Sequence, residues 1–124
     1  MLRYRAWDKH GQKMFANDEL IIWNGNVYAN DSKKLTCNNL KGWSIDDEYL
    51  MQSTGLFDKN GQEIFEGDVV RVLDSLYTVF YDTEKGSYRL KPHDDRWNVD
   101  YMSNFSHGGN FEVVGNIYEN KEYL

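Results

Sequence analysis

Short runs in which apolar and polar residues alternate, separated by turn-forming residues, recur along most of this chain. The first run covers residues 2–7, where the alternation is that of a strand with one buried face. Alternation at 97–101, and short apolar or β-branched runs between turn residues, predict further strands at 13–15, 19–23, 49–54, 62–65, 69–73, 77–81, 88–90, 97–101 and 111–118. Many short strands with turns between them predict a mainly β fold with minor α.

Glycine, asparagine, aspartate and one proline mark the predicted strand ends. Asn24-Gly25 lies between two apolar runs and predicts a hairpin, Gly55 is expected to break the strand that begins at Tyr49, and Pro92 is expected to end another. Residues 30–48 lack periodicity and predict a loop, in which Ser44 precedes three acids and can cap one helical turn. Residues 103–110, with Gly108-Gly109, predict a second loop.

A nine-residue phrase occurs twice. Residues 7–15, WDKHGQKMF, return as residues 57–65, FDKNGQEIF, with five identical positions and two conservative apolar exchanges. Aspartate and glycine suit tight turns, since the Asp side chain accepts a backbone bond two residues on and Gly adopts a positive φ. The repeat therefore predicts one kind of hairpin in two related lobes, with structural turn residues Asp8, Gly11, Asp58 and Gly61.

The second copy continues into a bend before a β-branched strand. Ile64, Gly67, Asp68, Val70 and Val72 form the pattern Ile-x-x-Gly-Asp-x-Val-x-Val, which resembles the start of small SH3-like barrels. Gly67 and Asp68 join the predicted structural turn residues. We predict an N-terminal β-lobe with an irregular loop, 1–50, and an SH3-like barrel lobe, 51–124, in contact as one compact unit.

Composition and charge narrow the function classes. The chain has 124 residues and a net charge of −6, and residues 56–124 carry the whole excess, with seven Lys/Arg against thirteen Asp/Glu. The sequence has no run of basic residues, whereas binding to duplex nucleic acid usually needs clustered Lys and Arg. The chain has a single cysteine, Cys37, and its first residues lack the apolar run of a secretory signal. It also has no apolar segment long enough to span a membrane. We therefore predict a cytoplasmic protein with no membrane partner.

Residues that carry chemistry are present but scattered. His10, His93 and His107 show no ligand spacing, although His93 with Asp94 and Asp95 offers candidate metal ligands. Cys37 has no histidine near it in sequence. The favoured interpretation is that these histidines and acids are polar loop residues and that Cys37 is a free thiol. We therefore expect no catalytic residues, no metal and no cofactor.

Aromatic residues and arginines interleave in the second half of the chain. The candidates for stacking single-stranded nucleic acid are Tyr77, Tyr81, Tyr88, Trp97 and Tyr101, with Arg71, Arg89, Lys91 and Arg96 as cations. Alternation already explains most of these rings as core residues, which is the favoured interpretation.

Three segments together resemble the YopX family of phage and prophage proteins. They are residues 3–9, RYRAWDK; residues 51–70, MQSTGLFDKNGQEIFEGDVV; and residues 111–120, FEVVGNIYEN. Phe57 stands where the family often has a basic residue, and Lys121 where it often has proline. The resemblance implies no activity and no catalytic residues, and it suggests self-association into a homo-oligomer.

The residues and the resemblance together predict a non-enzymatic phage or prophage accessory protein that binds a macromolecule, with an unknown protein as the expected partner. Two alternatives stay open. One is a small barrel that binds single-stranded nucleic acid. The other is an acidic inhibitor of a host enzyme, which rests on the charge of the second half and on Asp94, Asp95 and Asp100.

Overall fold

The computed structural model describes residues 3–9, 11–23, 26–30, 42–45, 49–72, 74–94, 99–101 and 111–120. Within these ranges the chain is mainly β, as predicted, and its only helical segment of three residues or more is one 3₁₀ turn. No helix there has the length and apolar content needed to cross a bilayer. The chain divides into two compact units, residues 1–52 and 53–124.

The N-terminal unit is built from antiparallel ladders. Its elements are β1 (Tyr4–Asp8), β2 (Lys13–Phe15), the 3₁₀ turn Asn17–Glu19, β3 (Leu20–Trp23), β4 (Asn26–Asn30), β5 (Gly42–Ile45) and the first residues of β6 (Leu50–Phe57). β1 pairs with β2 on one side and with β6 on the other, while β4 lies between β3 and β5. In this unit Ala6, Phe15 and Val27 form one buried cluster, and Trp7 and Met51 are buried as well.

The C-terminal unit is dominated by a five-stranded antiparallel sheet. Its elements are the rest of β6, β7 (Glu63–Phe65), β8 (Asp68–Val72), β9 (Ser75–Asp82), β10 (Ser87–Pro92), β11 (Asp100–Tyr101) and β12 (Phe111–Asn116). The five-stranded sheet has the order β11-β10-β9-β8-β12. β6 pairs with β7 in a separate sheet.

One face of the five-stranded sheet carries the core of the C-terminal unit. Its buried residues are Ile64, Val70, Val72, Val79, Leu90 and Phe111, and Leu56, Tyr77, Tyr88 and Val113 pack against them. The register explains this set, because Val70 pairs with Tyr77 and Leu90 pairs with Val79, and paired residues share a face. Period-two alternation therefore places this cluster on one face, while Val69, on the opposite face of β8, is also fully buried.

Two segments differ from the prediction made for them. Residues 42–45 form β5 and not part of a loop or a helical cap, because pairing with β4 supplies bonds that local sequence does not reveal. β6 continues through Gly55, which adopts a φ of 80° at an irregularity in the β6–β7 register rather than ending the strand. The predicted hairpin tip Asn24-Gly25, most of the 30–48 loop and the 103–110 loop lie outside the described residues.

Candidate functional site

The second copy of the repeated phrase forms a polar clamp around one carboxylate. Asp58 Oδ1 accepts the backbone N–H of Asn60 at 2.9 Å and of Gln62 at 2.8 Å, and its Oδ2 accepts the N–H of Val113 at 3.0 Å. We call Asp58 with these three donors the Asp58 clamp. Two of its bonds shape the hairpin turn, and the third reaches β12, fifty-five residues further along the chain.

Burial and hydrogen bonding act in opposite directions on the Asp58 carboxyl, which is only 5% exposed. Desolvation disfavours its charged form, but the three backbone donors and the nearby Lys59 ammonium outweigh that effect and lower the pKa of Asp58. The carboxylate is therefore ionised at neutral pH and held by three backbone donors. An acid of this kind is suited to holding backbone in place, since its acceptor sites are already used.

Lys59 extends the attachment between the hairpin and β12. Its backbone N–H donates to the Phe111 carbonyl at 3.0 Å, and its Nζ lies 3.0 Å from Glu112 Oε2. Together with the Asp58–Val113 bond, these contacts cover the edge of β12 that does not pair with β8. The hairpin thus occupies an edge whose backbone groups need partners.

The bend at Gly67 and Asp68 is a second structural junction. Asp68 is 1% exposed, and its Oδ2 accepts the N–H of Phe65 at 2.8 Å. Gly67 has a φ of 87°, donates its N–H to the Val79 carbonyl and accepts the N–H of Ile117. The left-handed conformation favours glycine here, and the bend places β8 between β9 and β12.

The end of β12 has a comparable arrangement that the sequence interpretation missed. Asn116 Oδ1 accepts the N–H groups of Tyr118 and Glu119, and Asn120 Oδ1 accepts the N–H of Asn116. A Cβ on Gly115 would lie 2.5 Å from Asn120 Oδ1, so this position requires glycine. The signal was available in the run Gly-Asn-x-x-x-Asn after an apolar strand, because asparagine often caps backbone turns.

The first copy of the phrase forms a hairpin turn with a different left-handed residue. Asp8 is 8% exposed, and a Cβ on Gly11 would lie 2.8 Å from Asp8 Oδ2. We expected Gly11 to supply the positive φ of this turn, and that was wrong: Gln12 adopts it, at 53°. Because Asp8 pairs with Lys13, the left-handed residue is the last of the loop rather than the glycine before it.

The histidine region forms a shallow surface depression of about 550 Å³ at one end of the five-stranded sheet, lined by Asp74, Ser75, Leu76, His93 and Asp94. His93 Nε2 and Thr78 Oγ1 are 2.7 Å apart, and the backbone N–H of His93 donates to the Leu76 carbonyl. Burial, with a smaller contribution from Lys91, lowers the pKa of His93, so the ring is neutral at pH 7.

This depression offers few ligands for a metal. Within the described ranges, no three His, Cys, Asp or Glu side chains are grouped so that they could hold an ion. Of the other candidates named from sequence, His10, Cys37, Asp95 and His107 lie outside the described residues.

The aromatic and basic candidates separate onto different surfaces. Tyr77 and Tyr88 pack against the core, and the Tyr88 hydroxyl donates to the Ser53 carbonyl at 3.2 Å. Tyr81 is 44% exposed and meets the edge of the Tyr88 ring, with centroids 5.1 Å apart. Arg71 and Lys91 are exposed. Arg96 and Trp97 lie outside the described residues, and so does the side chain of Tyr101.

These features define a small all-β protein whose buried polar residues secure turns and strand ends. The family model described as YopX protein matches residues 3–124, and the chain belongs to the YopX family. A solved structure described as protein EF1440 from Enterococcus faecalis is similar over 100% of this chain and 98% of its own, with 25% identity and a TM-score of 0.59. No curated protein matches the chain.

Proposed function

We propose that this YopX-family chain is a non-enzymatic accessory protein of a phage or prophage that acts in the cytoplasm by binding a protein partner. In the same proposal the C-terminal unit is a small SH3-like barrel, and the two copies of the repeated phrase mark related lobes. The observation that carries the proposal is that buried acids and amides hydrogen-bond to backbone groups of the protein itself. Asp58, Asp68 and Asn116 all accept backbone N–H groups.

A catalytic carboxylate needs an acceptor site directed at a substrate and a pKa suited to proton transfer. The Asp58 clamp has the opposite design, because its donors are backbone groups and its pKa is lowered. The family segments thus supply the scaffold. Exposed apolar side chains are then the candidates for recognition. Ile21, Ile22, Phe57 and Tyr81 on strands, and Val99 just before β11, are 39–53% exposed.

The test is affinity capture of the tagged full chain from host cells, with proteomics and nucleic-acid staining of the eluate before and after nuclease treatment. We expect one protein to co-purify in every replicate and to resist nuclease. Capture that nuclease abolishes would replace this proposal with nucleic-acid binding. Turnover in a broad activity screen that is lost in His93→Ala or Asp94→Asn would replace it with an enzyme.

A further inference from the structure

The charges of the C-terminal unit are segregated. Residues 53–124 carry seven Lys/Arg and thirteen Asp/Glu, a net charge of −6. The face of the five-stranded sheet opposite the core nevertheless carries three cations against two acids among its described side chains. We call this the outer face; by strand alternation it includes Val69, Arg71, Leu76, Thr78, Phe80, Asp82, Ser87, Arg89, Lys91 and Glu112, of which Val69 is fully buried.

The two acids of the outer face are already neutralised. Asp82 Oδ2 accepts Arg89 Nη1 at 2.9 Å, and this bond lowers the pKa of Asp82. Glu112 pairs with Lys59 at 3.0 Å. Most other acids of this unit with described side chains lie in turns, hairpins or after strand ends; among them Asp74 and Asp94 border the depression at one end of the outer face.

Arg71 and Lys91 supply the surplus charge. Both are exposed, and neither forms an ion pair within the described part of the chain. Arg71 pairs with Leu76 and Lys91 with Thr78, so the two cations lie on either side of β9. Strand spacing places their Cα atoms about 12 Å apart. Half-buried Leu76 and Phe80 lie between the two flanking strands and offer apolar contact.

We propose that the outer face binds an extended acidic segment of a partner protein, with carboxylates on Arg71 and Lys91 and apolar side chains over Leu76 and Phe80. Charge complementarity selects the acidic segment. A peptide rather than a nucleic acid is favoured because a unit of net charge −6 repels a phosphate backbone, whereas two carboxylates need only local contacts. This inference rests on the proposed function and names the chemistry of its partner.

The test uses fluorescence anisotropy at low salt with three labelled probes: a peptide of alternating Glu and Phe, the matching Lys and Phe peptide, and an oligothymidylate. We expect the full chain to bind the Glu-Phe peptide, with affinity that falls as salt rises. The double variants Arg71→Glu with Lys91→Glu, and Arg71→Gln with Lys91→Gln, should bind it roughly tenfold more weakly or worse.

Lys85→Glu and Lys85→Gln are the matched controls, since Lys85 is exposed in the turn after β9 and lies outside the outer face. We expect these controls to bind like the wild type. Equal weakening in the controls, absence of peptide binding, or preference for the oligothymidylate would overturn the inference. Capture of a protein from host cells that persists in the folded Gln double variant would also overturn it, while leaving the proposed function intact.

Discussion

The two copies of the repeated phrase contain nearly the same residues and close different hairpins. In the first copy Asp8 pairs with Lys13, and in the second Phe57 pairs with Glu63, so the second register is shifted by one residue. The left-handed residue shifts with it, from Gln12 at 53° to Gly61 at 83°. The phrase therefore specifies a turn but not its register.

What differs between the copies is the surroundings of the hairpin. The second copy lies beside β12, and the Asp58 clamp and the Lys59 contacts fasten the two together. A long-range partner can select one of several loops that the same residues allow, because each loop differs by only a few hydrogen bonds. In the second copy, Asp58 therefore has a structural role beyond its own turn, because a backbone N–H near the start of β12 donates to it.

Replacing Asp58 tests that role directly. We expect Asp58→Ala to lower the free energy of unfolding by about 3 kcal/mol, because three backbone N–H groups lose a charged acceptor in a buried setting. Urea denaturation followed by circular dichroism measures the loss. Asp8→Ala is the matched change in the first copy and should cost less, because only Asp58 has the bond to Val113. Equal losses would show that the long-range bond adds nothing.

The second effect depends on pH. The pKa of Asp58 is lowered in the folded state, so its stabilisation is complete above its ordinary value of 3.8 and is lost as pH falls through the lowered value. We expect the difference in unfolding free energy between wild type and Asp58→Asn to shrink between neutral pH and about pH 3. A difference that stays constant over that range would contradict this assignment.

Short apolar and β-branched runs between turn residues made the strands of this sheet predictable from sequence. They marked β8, β9 and β10, but only the register placed Tyr77 and Val79 on the core face and Thr78 and Phe80 on the opposite face. β5 was not predicted, because its apolar residues Trp43 and Ile45 alternate over only three positions beside a polar stretch, and residues 42–45 become a strand by pairing with β4. The prediction was thus accurate for the longer apolar runs and failed where pairing with a neighbouring strand decides.

The polar scaffold was predictable only in part. Aspartate and glycine in the second copy indicated a turn, but nothing local indicated that Asp58 would reach Val113. The same limit applies to the outer face, where Arg71 and Lys91 are twenty residues apart in sequence and become neighbours across β9 through the register alone. Local sequence names the residues that make turns, and the strand register decides which of them meet.

The smallest effect should differ in sign between the copies. Gly61→Ala should destabilise by about 1 kcal/mol, because an added Cβ meets no atom within 4 Å and the cost is that of a left-handed backbone. Gln12→Gly removes the same strain from the first copy but loses an exposed bond from Gln12 Nε2 to the Lys9 carbonyl, so we expect a gain of about 0.5 kcal/mol. Thermal denaturation of both variants measures the signs. Destabilisation by both would show that the first hairpin tolerates Gln12 without strain and that glycine has no advantage at its left-handed position.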